Sequence, residues 1–292
     1  MSVFTGSGVA IVTPFTKDNK VDYEKLAALT DEQIKRGTDA VVVCGTTGEA
    51  STLTDDEHKD CIECAVKAAA GRVPVIAGTG SNDTDYAVWL TKEAESVGAD
   101  AILSVTPYYN KASQAGLVKH FVKIADSVKI PTILYNVPSR TGCNIALDTY
   151  KELAKHKNIV AAKEASGNIS AIAKIFAECP GLDVYSGNDD QTVPILAMGG
   201  KGVISVAANV IPEVMHDICA LWFKGEREKS NALFLKYLKL MNDLFIDVNP
   251  IPVKCAMNYL GYDVGDLRLP MCALSEKDEK LLKGVLKEYS LL

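Results

Sequence analysis

The chain has 292 residues, 48% of them hydrophobic and 23% charged, with a formal net charge of −6. This balance excludes disordered, collagen-like and low-complexity chains. With 31 Lys and Arg set among 37 Asp and Glu, there is no basic footprint for nucleic acid.

No apolar run approaches the ~18 residues of a membrane helix. No basic residue precedes the apolar stretch of Met1–Phe15, so it does not read as a signal peptide. A cytoplasmic protein without membrane or nucleic-acid partners is expected. Eight cysteines in such a chain read as reduced thiols. Cys61 and Cys64 have metal or redox spacing, but they fall inside a helical pattern with no second pair nearby. No metal site is expected, because zinc needs about four ligands.

In chain order, short Val- and Ile-rich runs alternate with amphipathic stretches. The runs are 9–13, 40–44, 75–78, 101–105, 132–136, 159–163, 183–186 and 202–207. Few charges interrupt them, as expected of strands buried on both faces. Helical patterns at 23–35, 55–70, 84–97 and 114–127 fall between them. Thr54 stands three residues before Glu57, the spacing of a capping box. Eight successive βα units predict a closed (β/α)₈ TIM barrel over residues 1–225. A doubly wound open sheet is the rival, but the glycines at 78–80 and 199–202 lack dinucleotide or P-loop spacing. Residues 226–292 read as a C-terminal helical region, with helices at 226–245, 252–260 and 275–289. Asn249-Pro250 reads there as an N-cap with proline at the first helical position.

Barrel chemistry gathers at the C-terminal ends of strands, which narrows the search. Strand six ends in Ala161-Ala162-Lys163-Glu164-Ala165. Alternation puts Lys163 on one face with Ala161 and Ala165. Burial there would lower its pKa, and a neutral amine can attack a ketone to form a Schiff base. The plainer alternative is a structural lysine paired with Glu164, although those neighbours point to opposite faces. Tyr135 closes strand five and is either a proton shuttle or a packing residue. Thr46 and Thr47 sit between Gly45 and Gly48, in a turn that could present hydroxyls and amides. Arg140 could clasp a carboxylate with its fork, or lie on the surface. Tyr108 and Tyr109 could line a pocket or an interface. There is no phosphoryl-transfer loop and no Gly-x-Ser-x-Gly elbow.

Taken together, Gly45-Thr46-Thr47-Gly48-Glu49, Tyr108-Tyr109-Asn110, Tyr135-Asn136-Val137-Pro138-Ser139-Arg140-Thr141, Lys163-Glu164-Ala165-Ser166-Gly167, Gly202-Val203-Ile204-Ser205 and Asn249-Pro250-Ile251-Pro252-Val253-Lys254 are a specific combination. The chain resembles, nearly end to end, the dihydrodipicolinate synthase family of pyruvate-dependent class I aldolases and lyases. The resemblance implies a lyase of lysine and diaminopimelate biosynthesis that condenses pyruvate with L-aspartate 4-semialdehyde through an imine on Lys163. It implies a proton relay of Tyr135, Thr46 and a Tyr109 lent by a neighbouring subunit. Thr47 would bind the pyruvate carboxylate and Arg140 that of the semialdehyde, while Gly187 and Ile204 would line the pocket with main-chain groups. The imine is itself the electron sink, so no cofactor is implied. The borrowed tyrosine implies at least a homodimer, and the family's habit a homotetramer.

Sialic-acid and keto-deoxy-sugar-acid aldolases share the barrel, the lysine and the tyrosine. Thr47 and Arg140 point to the synthase. A non-catalytic barrel is the remaining alternative, but no matched catalytic position is lost. Lysine-inhibited relatives bind their effector at positions that match Ala50, Asp55, His58, Asn82, Tyr86 and Tyr108. Here Tyr86 stands where such relatives commonly have a carboxylate, and Asp55 where they have a histidine. Weak or absent lysine feedback is therefore expected.

Overall fold

A computed structural model describes residues 2–292. Its eight strands are β1 (Gly6–Ala10), β2 (Ala40–Val43), β3 (Val75–Gly78), β4 (Ala101–Val105), β5 (Thr132–Asn136), β6 (Ile159–Glu164), β7 (Asp183–Ser186) and β8 (Gly202–Ser205). They pair in parallel, each with the next, and β8 returns to β1 to close the barrel. The expected TIM barrel is thus the observed fold.

The runs from Ala40 to Ser186 become strands within a residue or two of their expected bounds. The first lies earlier than expected, at Gly6–Ala10 rather than 9–13. Barrel closure decides this, because Gly6 registers with Gly202 across the β1–β8 seam. A Cβ on Gly202 would lie 1.8 Å from the Gly6 oxygen. Only glycine allows this approach, so a segment of low strand propensity is drawn into the sheet.

Helices follow each strand. Asp55–Ala69 opens with the expected capping box. Thr54 Oγ1 accepts from the Glu57 N–H at 3.2 Å, and Glu57 Oε2 accepts from the Thr54 N–H at 3.0 Å. Two layers of apolar packing result. Inside the barrel, Val42, Ile76, Leu103, Ile133, Ala161 and Ile204 fill the floor beneath the strand ends. Outside it, helices pack on the sheet.

The C-terminal helices are Arg227–Asp243, Ile251–Tyr259 and Glu276–Glu288. Their Phe234, Leu240, Val253, Met257 and Leu286 join the same apolar cluster as Val9, Val41 and Val203 of the barrel. The helical region is therefore built onto the barrel wall. Among the described residues, no helix is long and apolar enough to cross a membrane.

The N-cap expected at Asn249 is not formed. Pro250 caps the helix that begins at Ile251, and Pro252 holds the early helical position. The Asn249 side chain is instead turned into the barrel mouth, toward Thr47.

Candidate active site

The pairing of β5 and β6 sets Tyr135 opposite Lys163. Both are buried, at 7% and 6% exposure, and Lys163 Nζ stands 4.4 Å from the centre of the Tyr135 ring. Glu164 points to the opposite face of β6, as strand alternation requires. There it accepts from Tyr150 Oη at 2.5 Å, Asn136 Nδ2 at 2.8 Å and Ser166 Oγ at 2.7 Å. The adjacent carboxylate is fully engaged elsewhere and does not neutralise the amine.

Burial among small neighbours pulls the Lys163 pKa down to about 8, assisted by the Arg140 charge and opposed by Asp189. Burial pushes the Tyr135 phenol up, while the Arg140 charge and the Thr46 hydroxyl pull it back. Asp189 is buried behind the lysine. Its Oδ2 accepts from the N–H groups of Val206 and Ala207 at 3.1 and 2.9 Å, and its Oδ1 has no hydrogen-bond partner among the described residues. Burial raises its pKa, against the pull of the Ser205 hydroxyl, of those N–H groups and of Lys163.

The loop after β2 carries both threonines in a tight turn. The Gly48 N–H bonds to the Gly45 oxygen at 3.1 Å and the Glu49 N–H to the Thr46 oxygen at 3.1 Å. Its far end is pinned by a buried ion pair, Lys254 Nζ to Glu49 Oε1 at 2.8 Å. Arg268 N–H gives Glu49 Oε2 a further bond at 3.0 Å. The loop that presents Thr46 and Thr47 is therefore held by the C-terminal helical region.

These residues enclose a cavity of about 180 Å³ lined by Thr46, Thr47, Tyr135, Arg140, Lys163 and Gly187, among others. At Gly187 the close approach is to the end of β6, the lysine included. A Cβ there would lie 2.7 Å from Ala165 Cβ and 3.1 Å from Lys163 Cε. Two expected site residues stand apart from the cavity wall. Ile204 is wholly buried in the apolar floor, and the residue lining the cavity from that strand end is Val206. Tyr109 is 89% exposed with φ of 72° and is not among the residues that line this chain's own cavity.

A second cavity, of about 430 Å³, meets the first along Thr46, Tyr135 and Arg140. Of the expected effector positions, Ala50, His58, Tyr86 and Tyr108 line it. Asp55 and Asn82 support that wall. Tyr86 Oη donates to Asp55 Oδ1 at 2.6 Å, and Asn82 Nδ2 to the Tyr108 oxygen at 3.2 Å. Burial lowers the His58 pKa, against the Gly78 carbonyl that its ring meets at 2.8 Å.

Nothing in the spacing singles out Asp189, Asn249 or Lys254 as parts of this site. Asn249 and Lys254 reach it from the far end of the chain, 202 and 205 residues from their partners Thr47 and Glu49. The only local signal is their place in the 249–254 motif.

The arrangement can present a partly neutral amine, a phenol, two threonine hydroxyls and a guanidinium to one small polar ligand. The sequence model of the dihydrodipicolinate synthetase family matches residues 3–289. The 4-hydroxy-tetrahydrodipicolinate synthase of Acetivibrio thermocellus is 56% identical, with 99% of each chain covered. That of Caldicellulosiruptor bescii is 55% identical, covering 100% of this chain and 99% of the relative. The crystal structure of the dihydrodipicolinate synthase of Thermotoga maritima superposes with a TM-score of 0.97 at 42% identity, with 100% of each chain covered.

Proposed function

The chain belongs to the dihydrodipicolinate synthetase family, and from that premise we propose how its residues divide the work. The enzyme is a class I lyase that condenses pyruvate with L-aspartate 4-semialdehyde to give 4-hydroxy-tetrahydrodipicolinate.

The observation that carries the assignment of Lys163 is a buried amine, with a pKa of about 8, set over the Tyr135 ring at the barrel mouth. The neutral amine attacks the keto carbon of pyruvate, water leaves, and the imine loses a C3 proton to become an enamine. That carbon attacks the aldehyde. The substrate's own amine then adds to the imine carbon, closes the ring and releases the lysine. Tyr135 is the acid and base beside the imine, in a relay with Thr46 and the Tyr109 of a neighbouring copy. Thr47 holds the pyruvate carboxylate and Arg140 that of the semialdehyde. Gly187 contributes main-chain groups to the pocket, and Val206, in place of the expected Ile204, lines it from the end of β8.

Residues 1–225 form the catalytic barrel in this reading, and residues 226–292 brace its β2 loop. The exposure of Tyr109 supports a homodimer as the working unit, with a homotetramer as the full assembly and the cytoplasm as its compartment. The Tyr86–Asp55 hydrogen bond engages the carboxylate that stands among the matched effector positions. That supports weak or absent feedback by lysine.

The test is pyruvate consumption with and without the semialdehyde, together with borohydride trapping of pyruvate on the protein. Consumption that needs the semialdehyde, and a pyruvate adduct on Lys163, are expected. Cleavage of longer keto-acids without semialdehyde-dependent consumption would refute the assignment. Inhibition by sub-millimolar lysine would refute the feedback reading.

A further inference from the structure

Asn249 has no part in the chemistry above, yet it touches two residues that do. It is 4% exposed. Its Nδ2 donates to Thr47 Oγ1 at 3.0 Å, and its main-chain oxygen accepts from Arg140 Nη2 at 3.1 Å. The amide is turned this way although its own Oδ1 is buried without a partner among the described residues. Thr47 is 3% exposed and lines the cavity. A hydroxyl has one proton to give and two lone pairs with which to accept. The Asn249 N–H occupies a lone pair, so the Thr47 proton is left to be donated. Among the described residues the Asn249 bond is the only hydrogen bond that the Thr47 hydroxyl makes.

We propose that Asn249 is a positioning residue: it turns the Thr47 hydroxyl into a proton donor toward an anionic group in the cavity, and it anchors the Arg140 fork beside it. A loop of the C-terminal region thereby sets the polarity of the carboxylate subsite at the barrel mouth. The proposal rests on the reading of Thr47 as the residue that binds the pyruvate carboxylate.

Asn249→Asp tests it, because a carboxylate of the same shape can only accept. Thr47 must then donate to residue 249, and its lone pairs face the cavity. The KM for pyruvate is expected to rise about tenfold or more, with a much smaller change in kcat. Borohydride trapping should shift along the pyruvate axis by the same factor. Asn249→Ala merely frees the hydroxyl and should raise KM by a smaller factor.

Both changes are then repeated on Thr47→Val. If the hydroxyl is the route, each adds no more than about twofold on that background. A wild-type KM in Asn249→Asp overturns the proposal. So does its full effect on the Thr47→Val background, which would mean that the new charge repels the substrate directly. If Asn249→Asp does not fold, the Asn249→Ala cycle decides the matter in its place, with additivity as the refuting result. A wild-type KM in Thr47→Val alone would instead refute the underlying assignment of Thr47.

Discussion

Lys163 Nζ lies 4.4 Å from the ring centre of Tyr135 because the two residues are register partners on β5 and β6. Burial at the barrel mouth strips water from the ammonium and lowers its pKa. With a pKa of about 8, about a tenth of the amine is neutral at pH 7, against roughly one part in three thousand for an ordinary lysine.

The rate of pyruvate trapping by borohydride should therefore rise about tenfold per pH unit below pH 8 and level off above it. Lys163→Ala should give no adduct at any pH. Trapping in that variant, or a midpoint above pH 10, would count against the lysine.

Two charges tune that midpoint in opposite senses. The Asp189 carboxylate favours the ammonium and the Arg140 guanidinium disfavours it. Asp189→Asn should move the trapping midpoint to lower pH, and Arg140→Leu to higher pH. Asparagine can still accept the Val206 and Ala207 N–H groups, so the first shift is expected with the fold retained. A midpoint that stays put in both variants would show that burial alone sets the value.

Tyr135→Phe keeps the ring over the lysine and removes the phenol. Pyruvate should still be trapped, while turnover falls by about 10²–10⁴-fold, the usual contribution of a general acid–base group. Turnover within a few-fold of wild type would reassign the proton transfer to another group.

Gly187→Ala places a methyl group against Ala165 Cβ and Lys163 Cε. The backbone there needs no left-handed conformation, but the methyl would meet the rigid Ala165 Cβ at 2.7 Å and the Glu164 oxygen at 3.1 Å, so the end of β6 must shift and carry Lys163 with it. Thermal stability should drop, and pyruvate trapping should be lost or slowed at least tenfold. Wild-type trapping would show that the lysine has room to spare.

The Glu49–Lys254 pair is 2% and 1% exposed at its side chains. Lys254→Met leaves a buried carboxylate with the Arg268 N–H and should cost about 3–5 kcal/mol. Adding Glu49→Gln should restore part of the loss. The same single change should loosen the β2 loop and raise the pyruvate KM. Thermal melts of the two variants decide the first point and steady-state kinetics the second.

Local pattern alone determined a good deal of this molecule. Val- and Ile-rich runs separated by helical periodicity specify eight βα units, because the alternation of 2.0 and 3.6 residues is written in near neighbours. Lysine between alanines on strand six marks the candidate position for the same reason, and the polar tips that follow the other strands mark its candidate neighbours.

Tertiary structure decided the rest. Which residue of β5 faces Lys163 depends on cross-strand register, and the start of β1 depends on closure against Gly202. Asn249 shows the limit most plainly. By sequence it resembles a helix cap. In the fold it bonds to Thr47 across 202 residues and to Arg140 across 109. Such contacts follow from how the C-terminal helices pack on the barrel wall. That packing buries apolar surface contributed by the whole chain, and no window of neighbouring residues encodes it.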